Sequence, residues 1–333
     1  MTKRENLHIG MGILVMVLFA LIACATPAPT ATPTPTPTPT PLTPEPFTLT
    51  VLYTNDGWGY TEPCACDPSV GGLARRAAFI KSMRQEKENV LVVDAGDSLV
   101  SLFHVGDLEQ GKLLAESFNQ MGYDAVTIGG MDFRMGLDVL REQIEVANYA
   151  VLSANTLDPT TKSFFDRDYQ IVEMHGHRIA LIGLTDPQTT SEVTQGQVSI
   201  MEPVQSLMDL VATLKNEADI IIVLSHLGMQ FDINLGMVVK DIDLVVAGRD
   251  KELYTEAIKA YDYLIVSAGS RGEYVGQIDL DFDAEGKVIS HQLHLQIMTE
   301  EIADDPDMRK WLGTSGLMPS SALKSGDEGQ VSP

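Results

Sequence analysis

Short apolar runs alternate with longer amphipathic stretches along the chain from Phe47 onward. Runs rich in β-branched residues predict buried strands, and apolar residues at helical spacing predict helices. The predicted strands are Thr48–Tyr53, Val90–Val93, Ala125–Ile128, Ile220–Leu224 and Leu244–Ala247. The predicted helices are Gly72–Gln85, Glu109–Met121, Gly136–Val146 and Pro203–Asn216. This alternation is typical of layered α/β proteins.

Two further strand-like segments, Tyr169–Met174 and Arg178–Leu184, are joined by His175-Gly176-His177. Their spacing predicts a β-hairpin. The two histidines either chelate a metal ion or belong to a polar turn.

A group of small and polar residues follows each of the five predicted strands directly. These strand-end clusters are Asn55-Asp56-Gly57, Asp94-Ala95-Gly96-Asp97, Gly129-Gly130-Met131-Asp132, Ser225-His226 and Gly248-Arg249-Asp250-Lys251. In open α/β sheets, ligands bind outside the carboxyl ends of the strands. We therefore expect the five clusters to converge on one crevice.

The composition agrees with a folded protein and argues against one class of partner. Of the 333 residues, 44% are hydrophobic, which is enough to bury a large core. The formal net charge of -23 argues against nucleic acid as a partner, because non-specific nucleic-acid binding depends on Lys and Arg neutralising phosphates.

The N-terminal region predicts export. Residues 1–24 combine Lys3 and Arg4 with an apolar run that ends in Leu21-Ile22-Ala23-Cys24. This ending resembles the lipobox of bacterial lipoproteins, which would make Cys24 the lipidated residue and anchor the protein to the membrane. An ordinary N-terminal membrane anchor is the alternative, and both interpretations place the rest of the chain outside the cytoplasm.

Composition also divides the rest of the chain. Residues 25–46 are almost purely Thr, Pro and Ala and predict an extended, polyproline-like spacer. The predicted domain covers residues 47–300. Residues 301–333 are expected to form a C-terminal helix and a disordered tail.

Five short phrases resemble, in the same order, the catalytic domain of 5'-nucleotidases within the calcineurin-like metallophosphoesterase superfamily. They are Thr54-Asn55-Asp56, Gly71-Gly72-Leu73-Ala74-Arg75-Arg76, Ala95-Gly96-Asp97, Ser225-His226-Leu227-Gly228 and Ser267-Ala268-Gly269 with Gly276. The resemblance implies a single-domain, four-layer α/β/β/α sandwich. It also implies two divalent metal ions, Zn²⁺ or Mn²⁺, bridged by an aspartate, and a small phosphorylated molecule as ligand.

The resemblance carries three metal ligands over to this chain: Asp56, the bridging Asp97 and His226. It fails at five other positions. Trp58 replaces the histidine of Asp-x-His, and Gly130 and Met131 replace the asparagine ligand and the proton-donating histidine of Gly-Asn-His-Glu. Arg249 and Lys251 replace the two histidines of Gly-His-x-His. Loss of a general acid alone costs about 10²–10⁴-fold in rate.

Cys64 and Cys66 lie just after the altered first motif. A Cys-x-Cys at this place resembles a branch of phosphoesterase-like proteins with cysteines near that motif, which would add two thiolates to the metal site and favour Zn²⁺. A disulfide in an oxidising compartment and free thiols are the alternatives.

Three other residues of the strand-end clusters are candidate ligand contacts. Arg249 and Lys251 either bind phosphate beside a metal ion or pair with Asp97 and Asp56. Asp132 either points into the crevice as an added oxygen ligand or has a supporting or capping role.

Two functions therefore follow. The first is a phosphate-ester hydrolase with a remodelled metal site, and the second is an inactive binding protein for metal, phosphate or nucleotide. After Trp311 we expect only a polar tail, without the second domain that many 5'-nucleotidases use to stack the nucleobase, so the sequence predicts no source of selectivity for nucleotides.

Overall fold

Two six-stranded sheets form the centre of the protein in a computed structural model that describes residues 45–163, 165–317 and 319. The predicted signal segment 1–24, most of the spacer 25–46 and the predicted tail beyond residue 319 lie outside the described residues. Within the described ranges, every helix is too short or too polar to traverse a lipid bilayer.

The strands are numbered in chain order. They are β1 (Phe47–Thr54), β2 (Val90–Asp94), β3 (Ala125–Thr127), β4 (Ala150–Leu152), β5 (Thr156–Leu157), β6 (Tyr169–Met174), β7 (His177–Leu184), β8 (Ser199–Ile200), β9 (Ile220–Ser225), β10 (Leu244–Ala247), β11 (Ile258–Ala260), β12 (Tyr263–Val266), β13 (Tyr274–Phe282) and β14 (Val288–Ile297). The helices are α1 (Leu73–Glu86), α2 (Leu108–Met121), α3 (Leu137–Val146), α4 (Pro187–Thr194), α5 (Pro203–Leu214), α6 (Met229–Asn234) and α7 (Pro306–Ser315).

Both large sheets are mixed. The first has the order β14-β13-β1-β2-β3-β4, with β1 to β4 parallel and β13 and β14 antiparallel. The second has the order β11-β12-β10-β9-β7-β6, with the four inner strands parallel and both edge strands antiparallel. Strands β5 and β8 form a small separate ladder.

Three apolar layers separate these elements. Side chains from both sheets, among them Val51, Leu91, Ile222 and Val246, make the central layer. A second layer lies between the first sheet and helices α1, α2, α3 and α7, and a third between the second sheet and helices α5 and α6. The inner strands are buried on both faces, which explains why they appear in the sequence as continuous apolar runs. The expected α/β/β/α sandwich is confirmed.

The predicted hairpin is also present, with His175 and Gly176 at positive φ in the turn between β6 and β7. The His177 ring stacks on Phe47, and its Nε2 lies 3.0 Å from the backbone carbonyl oxygen of Glu45. The histidines of this turn therefore lie against the start of β1, and neither belongs to a group of potential metal ligands among the described residues.

Arg141 on α3 holds the loop after β5 through a nearly buried carboxylate. It donates from Nε to Oδ2 of Asp158 over 2.7 Å and from Nη2 to Oδ1 over 3.2 Å. The amides of Thr160 and Thr161 donate to the same carboxylate. These hydrogen bonds, with that from Arg141 the largest cause, lower the pKa of Asp158 to about 2.

We expect Asp158→Asn to lower the free energy of unfolding by about 1–2 kcal/mol at pH 7. Because the folded-state pKa is depressed, the stabilisation is present above the unfolded pKa of about 3.9 and is lost as the pH falls towards 2. Urea unfolding at pH 7, 4 and 3 should show the difference from the unchanged protein shrinking. Asp138→Asn is the matched control, since Asp138 also pairs with Arg141 but its side chain is 94% exposed; a comparable loss there would contradict the assignment.

Candidate metal centre

The strand-end clusters meet where the carboxyl ends of β1, β2 and β3 face those of β9 and β10. The Asp56 amide donates to the Gly96 carbonyl over 2.8 Å, and the Gly248 amide donates to the Ser225 carbonyl over 2.8 Å. Asn55 joins the two sheets, because its Nδ2 donates to the Gly269 carbonyl and its Oδ1 accepts from the Ala268 amide. The convergence that the sequence pattern predicts is present.

Asp56, Asp97 and His226 form the centre of this junction. One potential ligand atom from each lies within 4.8 Å of the other two. His226 Nε2 is 3.6 Å from Oδ1 of Asp56 and 3.5 Å from Oδ2 of Asp97. All three residues are buried, with at most 3% of their surface exposed. The structure therefore brings together the three residues carried over from the sequence resemblance.

Each carboxylate uses one oxygen to hold the scaffold and directs the other towards His226. Oδ2 of Asp56 accepts hydrogen bonds from Asn55 Nδ2 and from the Arg249 amide, while its Oδ1 is buried without a partner in the described structure. Oδ1 of Asp97 accepts from the Met131 amide over 2.8 Å, while its Oδ2 is the atom nearest His226. The scaffold thus fixes both carboxylates and leaves one oxygen of each directed at the imidazole.

Glycines make room for the imidazole ring between the two sheets. A Cβ atom at either Gly96 or Gly248 would lie 2.8 Å from Cδ2 of His226. Neither His226 nitrogen has a hydrogen-bond partner among the described residues, although both are buried. A buried polar side chain without a partner is costly, so this ring is arranged for a ligand rather than for a protein hydrogen bond.

The backbone around the centre is held in an uncommon conformation. Asp56, Trp58, Asp97, Arg249 and Lys251 all have positive φ, between 49° and 75°. Non-glycine residues rarely adopt this region, and such strain persists only where surrounding contacts enforce it. Its concentration in three strand-end loops is typical of a functional site.

The two carboxylates and the imidazole alter each other's protonation. Burial lowers the pKa of His226, but the neighbouring carboxylates of Asp97 and Asp56 outweigh burial and raise that pKa to about 10. Burial raises the pKa of Asp97 to about 6, with the His226 charge acting in the opposite direction. Since a metal ion requires the neutral imidazole, a proton and a cation compete for the same nitrogen.

The spacing of the three ligand atoms fits a cation. Ligand atoms about 2.1 Å from a shared tetrahedral centre lie about 3.4 Å from one another. The distances from His226 Nε2 to the two carboxylate oxygens, 3.6 and 3.5 Å, are close to that value. Two aspartates and one histidine are also a donor set that Zn²⁺ and Mn²⁺ accept. The group could therefore hold one divalent ion.

Known proteins with similar sequences include 5'-nucleotidases. No family model matches the chain. It is 27% identical over 308 residues to the 5'-nucleotidase of Bos taurus, an alignment that covers 80% of this chain and 53% of the relative. The chain thus spans about half the length of the curated relatives that it matches first.

Solved structures give the same family of folds. The 5'-nucleotidase precursor from Thermus thermophilus superposes with a TM-score of 0.73 at 26% identity, over 81% of this chain and 58% of that one. The calcineurin-like phosphoesterase YfkN from Bacillus subtilis superposes with a TM-score of 0.69 at 23% identity, over 81% of this chain and 97% of that one. This is the metallophosphoesterase fold. Its relatives among sequences and structures are 5'-nucleotidases and calcineurin-like phosphoesterases.

Side chains at the altered positions of this metallophosphoesterase fold pair with one another or with nearby loops. The Lys251 ammonium lies 4.2 Å from the centroid of the Trp58 ring, and the Trp58 backbone amide donates to the Asp97 carbonyl over 3.0 Å. Arg249 Nε lies 3.1 Å from Oδ2 of Asp186. The side chains of Arg249 and Lys251 thus have partners other than Asp56 and Asp97, and only the Arg249 backbone contacts Asp56.

Asp186 and Thr189 contribute to the surroundings of the site, and the sequence pattern did not predict either of them. Asp186 caps α4 by accepting from the amides of Gln188 and Thr189, and it also pairs with Arg249. A Cβ atom at Gly130 would lie 2.6 Å from Cβ of Thr189, so α4 fills the space beside that glycine. Asp186 lies two residues after the end of β7, so the same strand-end rule extended to the hairpin would have identified it.

Cys64 and Cys66 are joined to each other in a disulfide. Cys64 is half-buried and Cys66 is exposed, in the loop between β1 and α1. Neither sulfur belongs to the ligand group around His226. Because the thiolate is the metal-binding form, the pair adds no ligand in this state.

Asp132 lies inside the loop after β3 rather than on the surface of the crevice. The backbone amides of Asp97, Leu99, Val100 and Gly129 donate to its two oxygens over 2.7–3.1 Å. It is fully buried. These contacts give Asp132 a capping role, in which it fixes the loop that carries Asp97.

We expect Asp132→Asn to lower the free energy of unfolding by about 2–4 kcal/mol, because asparagine offers one acceptor oxygen and turns an N–H₂ group towards amide donors. Urea unfolding measures the change. The matched control is Asp107→Asn, which caps α2 from an exposed position where asparagine is an equally good cap. Equal losses in the two variants would contradict the capping role of Asp132.

Proposed function

We propose that this chain is an extracytoplasmic phosphate-ester hydrolase of the 5'-nucleotidase type, acting on small phosphorylated molecules with a divalent metal ion. The observation that carries the proposal is the buried group of Asp56, Asp97 and His226, whose ligand atoms converge within 4.8 Å of one another. The similarity to 5'-nucleotidases supports the reaction class.

In this proposal Asp56, Asp97 and His226 hold the cation. When bound, the ion would supply positive charge to the phosphoryl oxygens and acidity to an attacking water. Oδ2 of Asp56 and Oδ1 of Asp97 remain bonded to backbone amides, so the protein keeps both carboxylates oriented as the ligand arrives. This fixed orientation removes the need to reorganise the site during the reaction.

Arg249 and Lys251 are the proposed phosphate contacts. Asp186 pairs with Nε of Arg249 and so holds the guanidinium in place. The Arg249 side chain is still 33% exposed. The Lys251 ammonium rests on the Trp58 ring. Both cations lie on the loop after β10, whose Arg249 amide donates to Asp56, and an anionic phosphate complements them in a protein that is otherwise strongly acidic.

Met131 limits the substrate class. It stands where the resemblance places the histidine that protonates the leaving group, and its half-buried side chain packs with Trp58 and Leu102 against a small apolar cluster. A thioether cannot donate a proton. The proposed substrates therefore have leaving groups that depart without protonation, such as aryl phosphates or phosphoric anhydrides.

An inactive binding protein is the second candidate, and the presence of Met131 at the position of the proton-donating histidine favours it. With Met131 and Trp58 in place of histidines, the crevice would retain metal and phosphate without turnover. The two functions differ in whether hydrolysis accompanies binding.

The test uses p-nitrophenyl phosphate, whose leaving group needs no acid, with Mn²⁺ or Zn²⁺ added to the purified chain. We expect hydrolysis that EDTA abolishes, and a loss of at least about 10²-fold in kcat/KM for Asp97→Asn and for His226→Gln. His294→Gln, at an exposed position of β14, is the matched control and should keep full activity. Unchanged turnover in Asp97→Asn would refute the assigned metal site, and binding of metal and phosphate without turnover would establish the second candidate.

We infer localisation from residues 1–24. Replacement of Cys24 by Ala is expected to shift the protein from the detergent phase to the aqueous phase in a Triton X-114 partition, because one lipid-modified residue is lost. Metabolic labelling with a fatty acid measures the modification directly. Persistent labelling of the Cys24→Ala variant would place the lipid elsewhere, and absence of labelling in the unchanged chain would favour a plain membrane anchor.

A further inference from the structure

We propose that the centre binds one divalent cation rather than a pair, and that Lys251, Arg249 and Thr189 occupy the room in which a second ion and its ligands would lie. The inference rests on the proposed metal site and departs from the paired ions that the sequence resemblance implies. Four observations carry it.

First, the ligand atoms suffice for one ion. Asp56, Asp97 and His226 supply three converging atoms, two of which are buried without any hydrogen-bond partner. Among the described residues, no other group of three His, Cys, Asp or Glu side chains has this spacing. A second ion would have to share Asp97 and find its other side-chain ligands elsewhere.

Second, the residues at two positions that the resemblance assigns to histidine ligands are in contact with each other. The contact is between an ammonium group and an aromatic ring. The Lys251 ammonium lies over the Trp58 ring at 4.2 Å, and the Trp58 backbone amide donates to the Asp97 carbonyl over 3.0 Å. The two positions are therefore adjacent and close to the shared aspartate. A fixed positive charge stands there instead of two nitrogen donors.

Third, the space beside Gly130 is filled. Gly130 cannot carry an amide ligand without displacement of Thr189, because its Cβ would lie 2.6 Å from that residue's Cβ. Arg249 is held by Asp186 at 3.1 Å and so brings a second permanent cation to the loop after β10. Helix α4 supplies the first obstacle through Thr189, and its N-cap Asp186 holds the second, Arg249.

Fourth, a second ion would lie beside fixed positive charge. A single divalent cation already carries a charge equal and opposite to that of the Asp56 and Asp97 carboxylates together. A second would add two positive charges beside the Lys251 ammonium and the Arg249 guanidinium, with Asp186 already paired. At the short distances of a buried site such repulsion is poorly screened.

The experiment counts Mn²⁺ on the purified full-length chain and records the electron paramagnetic resonance spectrum of the bound ion. We expect one Mn²⁺ per chain with the spectrum of an isolated ion. Paired ions about 3.5–4 Å apart would instead give the broadened spectrum of an exchange-coupled pair. Neither readout depends on turnover.

A double variant tests the roles of Trp58 and Lys251 directly. Trp58→His together with Lys251→His restores two imidazoles and removes the ammonium, so we expect it to bind two Mn²⁺ with a coupled spectrum. The matched control is Trp311→His with Lys240→His, the same chemical changes on α7 and after α6, and it should stay at one ion.

The outcomes separate the two proposals. Two coupled Mn²⁺ ions on the unchanged chain would overturn the single-ion inference and leave the proposed hydrolase in place, whereas no bound Mn²⁺ would overturn both. A folded double variant that still binds one ion would overturn the role of Lys251 and Trp58. The count on the unchanged chain decides the number of ions even if the double variant does not fold.

Discussion

Burial of two carboxylates and one imidazole at the junction of two sheets is the constraint on which the site depends. Removing a charged group from water costs several kcal/mol even after relaxation, so such groups stay buried only if hydrogen bonds and an opposite charge compensate. Asp56 and Asp97 obtain the hydrogen bonds from the amides of Arg249 and Met131. The opposite charge comes from the His226 imidazolium or from a cation that replaces its proton.

The architecture around this group serves to bring its members together. Asp56 and Asp97 come from neighbouring parallel strands of the first sheet, and His226 comes from the second sheet. The central apolar layer sets the separation of the sheets, while Asn55 bridges their ends. Asp94 stabilises these loops. It accepts hydrogen bonds from Thr54, Ser98 and the Gly96 amide, and Ser98 in turn accepts from the Gly57 amide. Packing and polar contacts thus act on the same few loops.

Periodicity and strand-end chemistry were enough to predict the α/β layering and the meeting of the five clusters, because a continuous apolar run such as Ile220–Leu224 has few alternatives to a doubly buried strand. The four-layer sandwich followed from the family resemblance, and the long antiparallel strands β13 and β14 were not predicted. Side-chain partners were harder to predict. Lys251 packs on Trp58 and Arg249 pairs with Asp186, and these choices depend on loop geometry that no local pattern encodes. Asp132 illustrates the same limit, since four amides from two loops must converge before its inward orientation becomes evident. The pairing of Cys64 with Cys66 was one of three states that the sequence left open.

The left-handed backbone at Asp56, Trp58, Asp97, Arg249 and Lys251 has a consequence for how such sites change over evolution. Because turns and amide contacts set the path of the main chain there, the loops can keep their shape when a ligand side chain is exchanged. Reactivity can then drift residue by residue on an unchanged frame. A lineage can thus pass from catalysis to recognition, or back, without having to rebuild its architecture.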